Sequence, residues 1–171
     1  MKQAPAQTAS ARGLRVALLR SLFNVRITDG LVAGARSALR ELGADERLTS
    51  TFDVPGAFEL PLAARAAAAS GRFDAVVALG AVVRGETDHY EHVAREAAAG
   101  LAAVARETGV PVAFGVLTVR ELEQAERRAR PGAENKGGEA ARAAVLMVAT
   151  LRAIGRRRSR ASKPDRARKR R

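Results

Sequence analysis

The segment Phe73 to Val83, FDAVVALGAVV, stays apolar at almost every position once past its opening Phe-Asp. A strand with one wet face alternates polar and apolar residues, so an unbroken run belongs to a strand covered on both faces. Helices supply that cover in a parallel sheet. Three shorter runs repeat the theme: Leu14 to Leu19, Leu48 to Val54, and Val110 to Leu117. The second is weaker and stops at Pro55-Gly56, whereas the third has Pro111 where a strand start tolerates it. Between them lie helical patterns. Leu31 to Leu42 has Thr28 or Asp29 available as N-cap and Gly43 just past its end. Phe58 to Ala69 is Ala-rich, and Asp88 to Glu107 opens with Asp88 and Glu91 at capping-box spacing and stops at Gly109. Arg120 to Ala129 and Glu134 to Ile154 close the series, divided by Arg130-Pro131-Gly132. Strands alternating with helices predict an α/β three-layer sandwich, a four-stranded parallel sheet with helices on both faces, in one domain over residues 13 to 154.

The termini read differently. Residues 1 to 12 hold no apolar stretch of the kind a signal peptide needs and are expected to be a flexible leader. No apolar run approaches the roughly 18 residues of a membrane span. The net charge of +12 suggests nucleic acid until it is divided along the chain. Ten of the 30 Lys and Arg, but only one of the 18 acids, lie in residues 156 to 171. That segment is therefore +9, and the remainder, with 20 bases against 17 acids, is nearly balanced. The basic tail, 155 to 171, is expected to be disordered; it reads either as a solubilising extension or as an arm for nucleic acid or another anionic partner. Cysteine is absent, which removes thiol chemistry and disulfides and is compatible with a cytoplasmic protein.

Ligands of open α/β sheets bind beyond the carboxyl ends of the strands, and the unusual residues gather there. Phe23-Asn24 follows the first strand, Ala57-Phe58-Glu59 the second, Arg84 to His89 (RGETDH) the third, and Phe114 lies in the fourth. Phe23 or Phe114 would stack a planar heterocycle, or else fill the core. Glu59 would accept hydrogen bonds from a ligand, or simply complement its helix dipole. Gly85 and Thr87, at a strand-to-helix turn, suit a phosphate as well as they suit an ordinary turn. His89, in the first turn of a helix, is the proton-transfer candidate, its alternative being an exposed histidine without a role. His92 shares its helix face, but no third ligand stands at metal-binding spacing, so a metal site is rejected. Arg128 and Lys136 flank the Pro-Gly break as a guanidinium fork and a point charge suited to phosphate, or as solvated surface. Neither G-x-G-x-x-G after a strand nor a P-loop is present, so a nucleotide cofactor lacks its usual sign.

Six motifs in order, Phe23-Asn24, VPGAFELP, GAVVRGETDHYEHV, FGVLT, LEQAERRA and NKGGEAA, make Leu14 to Ile154 resemble the lumazine synthases of riboflavin biosynthesis. The resemblance implies a flavodoxin-like fold and a transferase that condenses 5-amino-6-ribitylaminouracil with 3,4-dihydroxy-2-butanone 4-phosphate, without metal or redox cofactor. It implies that Phe23 stacks on the pyrimidine, and that Ala57, Phe58 and Glu59, with Ala81, Val82 and Val83, hold the uracil and ribityl groups. It places Glu86 and Thr87 at the phosphate and His89 at the proton-transfer position. Phe114 and Arg128 match residues that a neighbouring subunit contributes, Arg128 to the phosphate, with Lys136 and Glu139 nearby. It further implies a homo-pentamer, in many members built into a 60-subunit icosahedral shell. Two departures stand out. The link Arg130 to Glu134 (RPGAE) replaces the Gly-rich, Lys-containing link of many shell formers, leaving pentamer and shell both open. The tail from Gly155 runs past the usual family end. Two readings compete with the enzyme: a scaffold whose tails bind anionic partners, and a catalytically silent flavin- or lumazine-binding relative, against which the retained His89, Thr87, Arg128 and Lys136 argue.

Overall fold

The long apolar run forms β3, Ala75–Val83, with all but its last residue buried. In this computed structural model, which describes residues 9 to 161, β3 is flanked by β1, Val16–Ser21, and β4, Val112–Val119. The weaker strand β2, Thr49–Val54, is an edge, giving the order β2-β1-β3-β4 with every pairing parallel. Five α-helices follow among the described residues: α1, Val25–Glu41; α2, Leu60–Ala69; α3, His89–Thr108; α4, Leu122–Ala129; and α5, Lys136–Ala161. The two-residue period of the strands divides the core. Val16, Leu18, Val77 and Leu79 pack with residues of α1, α4 and α5, while Ala17, Leu19, Val76 and Ala78 pack with residues of α2 and α3. This is the expected three-layer, flavodoxin-like arrangement.

Several boundaries differ from the sequence reading. α1 begins at Val25 rather than Leu31, because Asn24 adopts the left-handed conformation (φ 56°, ψ 46°) and turns the chain directly from β1 into the helix. Neither expected cap serves: Thr28 is buried inside α1 with its hydroxyl donating to Val25 O at 3.2 Å, and Asp29 is paired with Arg20. The capping box expected at Asp88 and Glu91 is also missing. Asp88 has φ −76° and ψ 5° and its side chain makes no cap bond, leaving only Glu91 N donating to Asp88 O at 3.0 Å. A side chain does reach back at α4, where Gln124 Oε1 accepts from Arg120 N at 3.0 Å and Glu121 N at 3.4 Å.

β4 ends two residues later than expected, since its pairing with β3 continues to Val83–Val119. α5 passes Ile154 and remains helical to Ala161, so part of the expected tail is helix; residues 162 to 171 lie outside the described residues. At the other end residues 1 to 8 lie outside them too, but Ala11 is fully buried and its N–H donates to Leu42 O at 2.9 Å. Packing therefore begins before residue 13.

The close junction of α1, α4 and α5 is organised by Asn135, only 2% exposed. Its Nδ2 lies 3.0 Å from Gly30 O, 2.8 Å from Ala129 O and 3.0 Å from Arg130 O, while Oδ1 accepts from Gly137 N at 2.9 Å and Gly138 N at 3.1 Å. Asn135 thus caps α5 and fastens it to α1 and to the end of α4. Glycine permits the approach: a Cβ on Gly137 would lie 2.0 Å from Leu31 O, and one on Gly34 1.9 Å from Asn135 Oδ1.

Candidate active site

The carboxyl ends of β1 and β3, with the turn after β2, open onto a cleft of about 360 Å³. Phe23 stands at its edge, 71% exposed, because β1 has ended and the left-handed Asn24 swings the preceding residue outward. Asn24 Nδ2 donates to Ala81 O at 2.9 Å and ties this turn to the end of β3. Exposure excludes the core alternative for Phe23 and for Phe114, the latter 47% exposed.

The 3₁₀ turn Ala57–Glu59 leads into α2 and supplies the next wall. Gly56 lies beneath it: a Cβ there would be 2.9 Å from Glu59 Oε2 and 3.6 Å from Phe23 Cδ2. The carboxylate and the aromatic ring therefore border the same small space. Ala81, Val82 and Val83 line the cleft from β3, and Gly85, Thr87 and His89 line it where the chain enters α3. His89 is the first residue of α3, so the unpaired N–H groups and positive dipole end of that helix face the region where a phosphate is expected. Tyr90 and Val93 complete the lining, and Arg84 stacks its guanidinium 5.9 Å from the Tyr90 ring centroid. Glu86 sits in the same loop, exposed, but outside the lining residues.

The remaining expected residues occupy a second cleft of about 480 Å³ along β4, bounded by α4 and α5. Phe114, 47% exposed, stands there with Arg128, Lys136 and Glu139. Lys136 Nζ bonds both carboxylate oxygens of Glu139 at 2.7 Å, and Arg128 donates to Gln124 O at 2.9 Å within its own helix. β4 pairs with β3 only among the described residues, so its other edge borders this second cleft unpaired. The two groups of site residues lie in separate clefts of one subunit.

Fixed charges brace both ends of the sheet. Beside the first cleft, Arg20 grips Asp53 through Nε at 2.7 Å and its second guanidinium nitrogen at 2.8 Å, and also reaches Asp29. Those hydrogen bonds hold the Asp53 carboxyl below its ordinary range. At the amino ends of the strands, Asp74 accepts from Arg15 N at 2.8 Å and from its guanidinium at 3.2 Å, which likewise lowers its pKa.

Sequence reasoning overlooked Asn24 as a tether, Gly56 as the floor between Phe23 and Glu59, Tyr90 and Val93 as lining, and Asn135 as a clasp. Only Asn24 carried a local signal, since Asn is among the few side chains that readily adopt the left-handed region.

A parallel α/β sandwich with an aromatic, a carboxylate and a histidine gathered at the strand ends and a helix N-terminus defines a small-molecule-binding protein of the flavodoxin-like class. Residues 13–152 match the family model described as 6,7-dimethyl-8-ribityllumazine synthase. Over 142 residues the chain is 56% identical to the 6,7-dimethyl-8-ribityllumazine synthase of Edwardsiella ictaluri (strain 93-146), an alignment covering 82% of this chain and 90% of that protein. The chain belongs to the 6,7-dimethyl-8-ribityllumazine synthase family, transferases of riboflavin biosynthesis.

Proposed function

We propose that this chain condenses 5-amino-6-ribitylaminouracil with 3,4-dihydroxy-2-butanone 4-phosphate to 6,7-dimethyl-8-ribityllumazine, with release of phosphate and water, in the cytoplasm. The carrying observation is the first cleft, where the exposed Phe23, the Glu59 carboxylate, Thr87 and His89 share one space. Phe23 offers its ring face to the pyrimidine. Backbone groups of Ala57 to Glu59 and of Ala81 to Val83 meet the uracil edge, and Glu59 accepts from ribityl hydroxyls. The Thr87 hydroxyl and the backbone at Glu86 cradle the phosphate at the start of α3.

In the reaction the substrate amine attacks the ketone carbon, and the resulting carbinolamine loses water to become an imine. Loss of a carbon-bound proton then drives out phosphate, which leaves with the electron pair of its C–O bond. The enol left behind takes a proton on its terminal carbon and becomes a ketone, which the second nitrogen attacks to close the ring with loss of a second water. Each step moves a proton near neutral pH, the range a histidine serves, and His89 is the side chain placed to do it. Holding both substrates in one pocket supplies much of the remaining acceleration.

The second cleft supports a pocket completed between subunits. Arg128 and Phe114 are exposed and line a cleft other than His89's, which fits a neighbouring copy presenting them to His89 in a homo-pentamer. Lys136 and Glu139 lie beside that contact. Twelve pentamers closing into a 60-subunit shell is the larger assembly compatible with this reading, and light scattering separates the two.

The test is formation of the lumazine from the two substrates, followed by its absorbance. His89→Ala is expected to slow turnover about 10²–10⁴-fold with assembly preserved. Well-folded, assembled wild-type protein that makes no lumazine would refute the proposal.

A further inference from the structure

The sheet narrows beneath the first cleft. Pairing of β1 with β3 stops at Arg20–Leu79, whereas β4 accompanies β3 as far as Val83. Arg84 N extends the β4 contact by donating to Val119 O at 2.9 Å. Past its last pair with β3, the chain leaving β1 leans on β2 instead, with Leu22 N donating to Val54 O at 2.9 Å. Ala81, Val82 and Val83, the part of β3 that lines the cleft, therefore lie beyond the last β1–β3 pair. Asn24 closes that gap: its Nδ2 donates to Ala81 O at 2.9 Å, across 57 positions of chain. The side-chain amide takes the place of the backbone N–H that a longer β1 would have supplied.

Asn24 is also the one non-glycine residue with positive φ among the described residues, at φ 56° and ψ 46°. That conformation ends the strand, starts α1 and turns Phe23 outward. Two demands thus fall on one side chain, to tolerate the left-handed region and to donate a hydrogen bond. Asp meets the first without a donor, and Gly meets it without a side chain. Gln has the donor but is not among the residues that readily turn left-handed.

We propose that Asn24 is a positioning residue: its amide holds the Phe23 ring and the Ala81–Val83 backbone at the spacing of one flat heterocycle. The inference rests on the assignment of a pyrimidine to this cleft in the reaction proposed above, and deepens it. Phe23 offers a ring face, and the end of β3 offers backbone N–H and C=O groups. The first meets the face of a planar ligand and the second its edge, so both are satisfied together only at a fixed separation. Phe23, 71% exposed, has little packing of its own to fix it. The residue that follows it in the chain, bonded to Ala81, does so.

Asn24→Gly keeps the turn and removes the amide, whereas Asn24→Asp keeps the shape and removes the donor. Loss of one neutral hydrogen bond corresponds to about 2–10-fold in an equilibrium constant. KM for 5-amino-6-ribitylaminouracil is expected to rise by that factor in Asn24→Gly, and by more in Asn24→Asp, whose carboxylate faces the Ala81 carbonyl. Meanwhile kcat and the KM for the ketone phosphate stay within about twofold of wild type. A purely structural Asn24 would instead lower the unfolding midpoint and leave the ratio of the two KM values unchanged, which would overturn the proposal. A second arm needs no substrate. The chain contains no Trp, so Phe23→Trp places a lone indole at the ring position. Its fluorescence anisotropy in the ligand-free protein is expected to fall when either Asn24 substitution is added. Unchanged anisotropy would also overturn the proposal. Circular dichroism and light scattering verify that the variants fold and assemble as the wild type does. Wild-type protein that makes no lumazine refutes the reaction proposed above, and the ligand-free indole comparison then decides the role of Asn24 by itself.

Discussion

Replacing Asn135 by Ala tests the junction on which the second cleft depends. In a site 2% exposed to solvent, the two Nδ2 hydrogens are shared among three carbonyls and Oδ1 accepts from two N–H groups. Loss of the side chain uncaps α5, at a cost of about 1 kcal/mol. It also strips a partner from the Ala129 and Arg130 carbonyls, and each buried group left unsatisfied costs about 1–3 kcal/mol, whereas Gly30 O keeps its bond within α1. Water entering the vacated space recovers part of this, so a net loss of about 3–5 kcal/mol is expected, a large share of the stability of an ordinary domain. Urea unfolding at fixed subunit concentration measures it, because assembly makes stability concentration-dependent. Asn135→Asp separates capping from clasping. Asp is as good an N-cap as Asn but cannot donate, and it would point a carboxylate at three carbonyls. The clasp therefore predicts that Asp is no better than Ala. If Asp matches wild type, or if Ala costs less than about 1 kcal/mol, the network does not hold the α4–α5 junction in place.

Phe23→Ala is expected to raise KM for the uracil substrate, since stacking on a flat ring contributes about 1–3 kcal/mol. Stability should barely move, because the ring is 71% exposed; steady-state kinetics and a melting curve on the same sample check both. Asp74→Asn addresses pH. The Arg15 hydrogen bonds lower the Asp74 pKa below its ordinary 3.8, so this carboxylate's stabilisation is fully present above that value and is lost as pH falls through the folded pKa. The variant should be less stable than wild type at pH 7 by about 1–2 kcal/mol, with the gap closing below pH 3.8, as followed by urea midpoints across pH.

What the sequence revealed followed from periodicity. The apolar run of β3 announced a strand covered on both faces, and alternation of strand and helix announced the parallel sheet. Rim residues were legible because a parallel sheet sends every βα turn to one end, so Phe23, Glu59, and Thr87 with His89 could be collected from three turns. Boundaries set by single backbone conformations were not legible. Nothing in Thr28 or Asp29 showed that Asn24 would turn left-handed and start α1 earlier, and the Asp88–Glu91 spacing looked like a cap that the local φ and ψ do not allow. Asn135 was hidden for another reason: its partner at Gly30 lies 105 positions away, a contact that no local pattern contains. The separation of Arg128 from His89 likewise depends on the packing of α4 and α5 along β4, not on spacing along the chain.

The central claim is that one catalytic pocket is built from His89 of one subunit and Arg128 of the next. His89→Ala and Arg128→Ala proteins, each prepared alone, should both be poorly active in lumazine formation. Unfolded together and reassembled as mixed oligomers, they place intact His89 opposite intact Arg128 in about a quarter of the interfaces, given random mixing in a symmetric ring. The account predicts recovery of about that fraction of wild-type activity in the co-assembled sample. Activity in verified mixed oligomers that stays at the level of the separate variants would contradict it.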